Sequence, residues 1–142
     1  MLPIVSEQVS FIVPGVPVAK GRARATRSGH HYTPAKTRAA EAAVRAAWIE
    51  KFGTDREPHK GPVELHVLAM FPIPKSWPKS KREGALFHTS RPDLDNVVKL
   101  IKDALNGLAW VDDSSVVKLS ASKNYTVVSP KTSVSVTFYS ES

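Results

Sequence analysis

The sequence has no cysteine among its 142 residues, which excludes disulfide bonds, zinc–thiolate sites and a thiol nucleophile. Its five histidines lack the spacing of zinc ligands. No stretch approaches 18 consecutive apolar residues, and the first residues lack the basic-then-apolar pattern of a secretory signal. Internal repeats and low-complexity segments are also missing. We therefore expect a cytoplasmic protein with no membrane contact.

Acidic residues are scarce: 13 Asp and Glu stand against 20 Lys and Arg, a net charge of +7. This balance favours a polyanionic partner, with nucleic acid ahead of an anionic membrane surface, although most charge runs are only solvated surface. The basic residues cluster in two segments. The predicted DNA contacts are Lys20, Arg22, Arg24, Arg27 and Lys36 in the first segment, and Lys79, Lys81 and Arg82 in the second.

Alternating apolar residues predict strands at about 9–13, 63–71, 115–126 and 131–139. Helical spacing predicts long helices at about 34–52 and from Asp95 or Asn96 to just before Gly107, with a short helix from Ser76. This order predicts an α+β (mixed α/β) fold, with a small mixed four-stranded sheet and two main helices packed on one face. We expect one domain over 1–142, with a basic loop at about 15–33 and a basic, proline-containing insertion at about 72–91.

Two acidic pairs bracket the second long helix. Asp93 and Asp95 precede it in what should be extended chain, where alternate side chains point the same way. Asp112 and Asp113 follow it and open the next strand, so that one of the two is expected to join the site. A helix of this length spans about 16 Å. Asp113 must therefore return along the sheet to meet the first pair.

Three carboxylates without histidine or cysteine favour a hard cation, Mg²⁺ with Mn²⁺ as a substitute. Such a cation would reverse the repulsion between carboxylates and a phosphodiester and would activate a bound water. Lys99 lies one turn after Asp95 and is a candidate for stabilising the transition state. Each residue also has a simpler interpretation: Asp95 as a helix cap, Asp112 and Asp113 as an exposed turn, and Lys99 as a solvated lysine.

Three motifs resemble the RusA family of Holliday-junction resolvases, especially its phage and prophage members. They are RPDLDNVVK at 91–99, DALNG at 103–107 and WVDDSSVV at 110–117. Weaker matches lie at 17–24, 32–37 and 74–82, so the resemblance spans nearly the whole chain in the family's order. The stretch at 73–90 is longer than in the shortest members, which puts its effect on substrate choice in doubt.

The resemblance implies a RusA-like fold and a homodimeric endonuclease, dependent on Mg²⁺ or Mn²⁺ and on no organic cofactor. Such an enzyme resolves branched DNA, the four-way junction, by paired symmetric nicks in DNA recombination and repair. The family's catalytic, metal-holding carboxylates map onto Asp93, Asp95 and Asp113, with Asp112 as the alternative to Asp113. Its essential lysine maps onto Lys99.

Two other functions are compatible with the residues alone. A non-catalytic DNA-binding module would use the aspartates as caps and turn residues, and would bind DNA with steep salt dependence but without cleavage. A metal-dependent phosphohydrolase acting on small molecules or flap DNA would cut other substrates as well as junctions.

Overall fold

A computed structural model describes residues 4–21 and 24–140, with only the backbone of Arg24. It contains a four-stranded sheet built from β1 (Val5–Pro14), β4 (Val63–Pro72), β5 (Val116–Thr126) and β6 (Lys131–Tyr139). The spatial order is β1-β6-β4-β5. β6 pairs antiparallel with both β1 and β4, whereas β4 and β5 run parallel, so the sheet is mixed.

Apolar residues occupy every second position of β4, and they define the buried face of the sheet. Val63, Leu65, Val67, Ala69 and Phe71 are all buried on one side, because successive strand residues point to opposite faces. The other side carries polar pairs, Ser10 with Ser135 and His66 with Ser120, which remain exposed. The predicted arrangement of one covered and one open face is confirmed.

Two long helices, α1 (Ala35–Phe52) and α3 (Leu94–Leu105), cover that buried face. The apolar stripe of α3 includes Val97, Ile101 and Leu105, each at most 2% exposed. From α1, Trp48 is fully buried and packs edge-on against Phe11 of β1. These contacts join both helices and the sheet in one hydrophobic core, and the predicted fold class is correct.

The helix boundaries differ from the prediction by small amounts. Pro34 is the N-cap of α1 rather than its first helical residue, and α3 begins at Leu94, one residue before Asp95. The short helix α2 is confined to Lys79–Glu83. Before β5 the chain forms a 3₁₀-helix at Asp113–Ser115, so the second acidic pair does not open the strand directly.

The basic loop contains a small hairpin, in which β2 (Arg24–Ala25) pairs antiparallel with β3 (His31–Tyr32). The tip turns at Gly29, whose φ of +85° is a conformation that favours glycine. The hairpin carries Arg27 on its exposed tip. Of the described helices, none has the length and apolar character needed to cross a bilayer.

Candidate active site

A groove of about 760 Å³ runs along α3 where this helix lies over the edge strand β5. We call it the α3 groove. Its apolar floor comes from Leu94 and Val98 of α3 and from Leu119 and Ala121 of β5. Charged residues surround this floor: Asp95, Lys99, Lys102, Asp103 and Asp113. Two of the three predicted catalytic carboxylates and the predicted catalytic lysine therefore border the same groove.

Asp113 is held by a buried tryptophan. The indole Nε1–H of Trp110, which is fully buried, donates to Oδ1 of Asp113 over 2.8 Å. Hydrogen bonds to a carboxylate are stronger than neutral ones and restrict its rotation. The same residue lines the α3 groove.

Asp112 has a different role from its neighbour. Its side chain accepts a hydrogen bond from the backbone N–H of Ser114 over 3.0 Å and caps the 3₁₀-helix. The side-chain and backbone hydrogen bonds of Ser114 lower the pKa of this exposed carboxyl. Asp112 is absent from the lining of the α3 groove, and these contacts favour Asp113 as the residue that joins the site.

Asp93 is not among the residues that line the α3 groove. It is the N-cap of α3, with extended backbone angles (φ −69°, ψ 140°), yet its side chain makes no capping hydrogen bond. It lines a separate cleft of about 570 Å³ with Arg91, Pro92 and Asn96, which we call the Asp93 cleft. A carboxylate at an N-cap usually accepts a backbone N–H, so this side chain remains available for another partner.

The prediction that Asp93 and Asp95 both lie in extended chain is wrong for Asp95. The helix begins at Leu94, so Asp95 lies in its first turn while Asp93 keeps extended angles. The rule that strand residues two positions apart point the same way therefore does not apply to this pair. Asp95 lines the α3 groove, whereas Asp93 lines a different cleft.

The three predicted carboxylates do not form a metal cage within one chain. Across residues 4–21 and 24–140, no group of three His, Cys, Asp or Glu side chains is arranged to hold a metal ion. Asp93 lies at the start of α3, whereas Asp113 follows the turn beyond its C-terminal end. Mg²⁺, however, commonly takes one or two carboxylates and completes its shell with waters and substrate phosphates. The oxygen donors Asp95 and Asp113 therefore fit a hard cation in their chemistry.

Lys20, predicted to contact DNA, is engaged inside the protein. Its Nζ lies 2.7 Å from Oε1 of Glu41 and 2.8 Å from Oδ2 of Asp103. Burial alone would lower the pKa of Lys20, but the hydrogen bonds and charges of Asp103 and Glu41 outweigh it, and the pKa is raised. Its backbone N–H also donates to Asn96 O. These contacts argue against Lys20 as a DNA ligand and assign it to holding the basic loop against α1 and α3.

The other predicted DNA contacts are distributed over the surface. Arg27, Lys36, Lys79 and Lys81 are exposed. Lys79 lies 3.9 Å from Glu83, Lys81 lies over the Trp77 ring, and Arg82 donates to the carbonyl of Pro74. Arg22 and the side chain of Arg24 lie outside the described residues. Lys36 and Arg91 line a cleft of about 710 Å³ beside the Asp93 cleft, which we call the basic cleft.

Sequence reasoning missed two residues that support the site. The sequence gives no signal that Trp110 supports the site, since nothing in a sequence shows where an indole N–H points. Lys123 of β5 donates from Nζ to the carbonyls of Ser90 and Pro92, both over 2.6 Å. The sequence does contain a signal for Lys123. In β5 it shares a strand face with Leu119, Ala121 and Tyr125, so the alternation of the strand directs a charged side chain toward the helices.

Comparison with known proteins identifies the family of this chain. The family described as Endodeoxyribonuclease RusA matches residues 14–137, which include both clefts and the whole α3 groove. A relative from Bacillus subtilis (strain 168), named as the uncharacterized protein YqaN, is 39% identical over 129 residues, covering 82% of this chain and 87% of the relative. On the extent of the family match, the chain belongs to the RusA endodeoxyribonuclease family.

Proposed function

We propose that this protein is a divalent-metal-dependent endonuclease that resolves four-way DNA junctions by paired symmetric nicks, in DNA recombination and repair. The main supporting observation is that Asp95, Lys99 and Asp113 border one groove in a chain of net charge +7. Membership in the RusA family supports the nuclease activity. The choice of junctions as substrate follows from the resemblance of the three motifs to Holliday-junction resolvases.

Asp95 and Asp113 are the residues proposed to hold Mg²⁺ or Mn²⁺, together with Asp93. When bound, the cation supplies positive charge against the phosphodiester and lowers the pKa of a coordinated water. Without a counter-charge, two like charges 4 Å apart repel by about 4 kcal/mol at an effective dielectric of about 20. The carboxylates of an unloaded site would therefore repel DNA.

The chain's own residues orient the reaction. Lys99 is exposed and lies one helical turn after Asp95 on the same side of α3, where its ammonium can contact the scissile phosphate and stabilise developing charge. Trp110 fixes the carboxylate of Asp113 through its N–H. Lys36 and Arg91 in the basic cleft are proposed to hold the phosphates that flank the scissile bond.

A second copy of the chain offers one physical way to complete the carboxylate set. Within one chain, Asp93 and Asp113 lie toward opposite ends of α3. A two-fold dimer repeats both residues on its second subunit and suits a junction that needs two symmetric cuts. We therefore propose a homodimer, as the family resemblance implies, in which both subunits contribute to cleavage.

The decisive experiment compares cleavage of a synthetic four-way junction and of a linear duplex, with Mg²⁺ or with EDTA. We expect paired nicks in the junction only, dependent on the cation. Asp95→Asn should abolish cleavage and keep or improve junction binding, because it removes a negative charge near the phosphate. Asp55→Asn, an exposed change in the loop after α1, is the matched control and should cut like the wild type.

Three outcomes would contradict the proposal. Tight junction binding without cleavage in Mg²⁺ and Mn²⁺ would leave a non-catalytic DNA-binding module. Equal cleavage of flaps, duplexes and junctions would indicate a general phosphohydrolase. Loss of binding together with cleavage in Asp95→Asn, with a lowered melting temperature, would indicate a structural role for Asp95.

The dimer has its own test. Asp93→Asn and Asp113→Asn proteins would each be inactive, and mixing them by unfolding and refolding together would produce mixed dimers. If the carboxylates of one site come from both subunits, the mixture regains single-nick activity at one of its two sites. No recovery in a mixture shown to contain mixed dimers would mean that each site belongs to one chain.

A further inference from the structure

Lys123 is a lysine directed toward the covered face of the sheet. It lies on the edge strand β5, opposite Ala69 of β4, and is half-buried. Its neighbours on the same face, Ala121 and Tyr125, both pack against the hydrophobic core. An ammonium among such neighbours needs hydrogen-bond acceptors, and the structure provides two backbone carbonyls.

Those carbonyls belong to the turn that precedes α3. Lys123 Nζ donates to Ser90 O and to Pro92 O, each over 2.6 Å. The segment that precedes this turn is also bonded to β5, since His88 N–H donates to Lys123 O and Tyr125 N–H donates to Leu86 O. Lys123 therefore bonds to this segment through both its backbone and its side chain.

The next residue after these two carbonyls is Asp93. Its own side chain accepts no capping hydrogen bond, so the direction of its carboxylate depends on the backbone of the turn. The carbonyl of Pro92 and the N–H of Asp93 belong to the same planar peptide unit. Whatever fixes Pro92 O therefore fixes the plane from which Asp93 emerges.

We propose that Lys123 is a positioning residue that holds the 90–92 turn and thereby orients the Asp93 carboxylate for cation binding. The inference rests on the proposed function, in which Asp93 is one of the cation ligands. Lys123 does not contact DNA or the cation in this role. Removing its ammonium leaves Asp93 in place but lets the turn rotate.

The experiment compares Lys123→Met, which keeps the length of the side chain and removes the charge and donors, with Lys123→Arg, which restores both. Lys118→Met is the matched control, because Lys118 lies on the same strand, is exposed and has its ammonium over the Tyr139 ring. Mn²⁺ binding is measured directly by calorimetry or by electron paramagnetic resonance. Junction cleavage is measured as a function of Mn²⁺, and junction binding is measured in EDTA.

We expect Lys123→Met to bind junctions like the wild type while its Mn²⁺ affinity falls by about 10- to 100-fold, the usual effect of removing a supporting contact behind a ligand. The Mn²⁺ concentration for half-maximal cleavage should rise in parallel. Lys123→Arg should recover most of the affinity, and Lys118→Met should not differ from the wild type.

Unchanged Mn²⁺ affinity in a folded Lys123→Met protein would overturn the inference. If the melting temperature falls while the Mn²⁺ affinity does not change, Lys123 only stabilises the fold. If Lys123→Met does not fold, Lys123→Gln keeps a donor without charge and takes its place under the same criteria. A wild type that binds Mn²⁺ but cuts no junction would refute the proposed function. The calorimetric comparison would still decide the role of Lys123.

Discussion

At the scale of single residues, the site depends on hydrogen bonds that restrict its carboxylates. Asp113 is fixed by Trp110, Asp112 caps the 3₁₀-helix, and Asp93 is an N-cap whose side chain makes no capping hydrogen bond. Adjacent or near-adjacent aspartates thus have three different roles. Their backbone conformations differ accordingly: Asp93 and Asp112 are N-caps with extended angles, whereas Asp113 lies in the 3₁₀-helix.

Trp110→Phe tests the restriction of Asp113. The change removes the indole N–H but keeps an aromatic ring, and the lost hydrogen bond to a carboxylate is worth up to about 1.5–3 kcal/mol, less here because Asp113 is partly exposed. We expect junction cleavage to fall by about tenfold or more, since a freely rotating ligand binds the cation less well. Urea unfolding and cleavage rates measure the two effects.

Trp48→Phe is the matched control for this experiment. Trp48 is also fully buried, but its Nε1 has no hydrogen-bond partner among the described residues. The substitution removes the same volume from the core without breaking a bond to the site. Equal losses of cleavage in the two variants would mean that Trp110 acts through packing alone.

At the scale of helices and strands, much of the fold was predictable because its signals are local. Alternation in β4, the proline and glycine that flank α1, and the apolar stripe of α3 each lie within one segment of sequence. The missed contacts join distant segments instead. Lys20 reaches Asp103, and Lys123 reaches Ser90 and Pro92, and no periodicity specifies which oppositely charged or polar group a lysine will meet.

The segment at 85–92 shows how an element without regular structure is stabilised. It docks on β5 through His88, whose ring stacks on Phe71 with centroids 3.9 Å apart and meets Tyr125 edge-on. Burial and the charge of Lys123 lower the pKa of His88 below its ordinary value of 6.5. The folded protein therefore binds a proton at His88 less readily than the unfolded chain does.

This difference predicts a loss of stability in acid. The contribution of neutral His88 is fully present above about pH 6.5 and declines as the pH falls from there toward the lower pKa of the folded state. His88→Phe keeps the aromatic stacking without a titrating group. Its melting temperature should fall less than that of the wild type between about pH 7.5 and pH 5. Parallel losses in the two proteins would assign the acid sensitivity to other groups.

At the scale of the whole molecule, the excess of positive charge does not act uniformly. Lys20 is neutralised by Glu41 and Asp103, whereas Lys36, on the first turn of α1, is exposed beside the basic cleft. Counting basic residues in the loop overstates the charge that faces DNA. The footprint depends on which ammonium groups have no acidic partner.

Salt dependence separates these two lysines. Each phosphate contact on duplex DNA contributes about −0.9 to the slope of log K against log salt, because binding releases a counterion. Lys36→Ala should therefore reduce the magnitude of the slope by about 0.9. Lys20→Ala should leave the slope unchanged and lower the melting temperature, since it leaves Glu41 and Asp103 without their cation. Fluorescence anisotropy of a labelled junction in Ca²⁺, across a salt series, provides the slopes.

Lys20→Ala and Lys36→Ala remove the same charge from neighbouring positions, so a difference between their slopes cannot come from net charge. If only the net charge mattered, Lys20→Ala and Lys36→Ala would weaken DNA binding similarly, and their slopes of log K against log salt would be equal. A reduced slope in Lys20→Ala would mean that DNA phosphates displace Glu41 and Asp103 from its ammonium. In that case the basic loop would separate from α3 on binding, and Asp103 would be exposed in the α3 groove at the moment that DNA enters it.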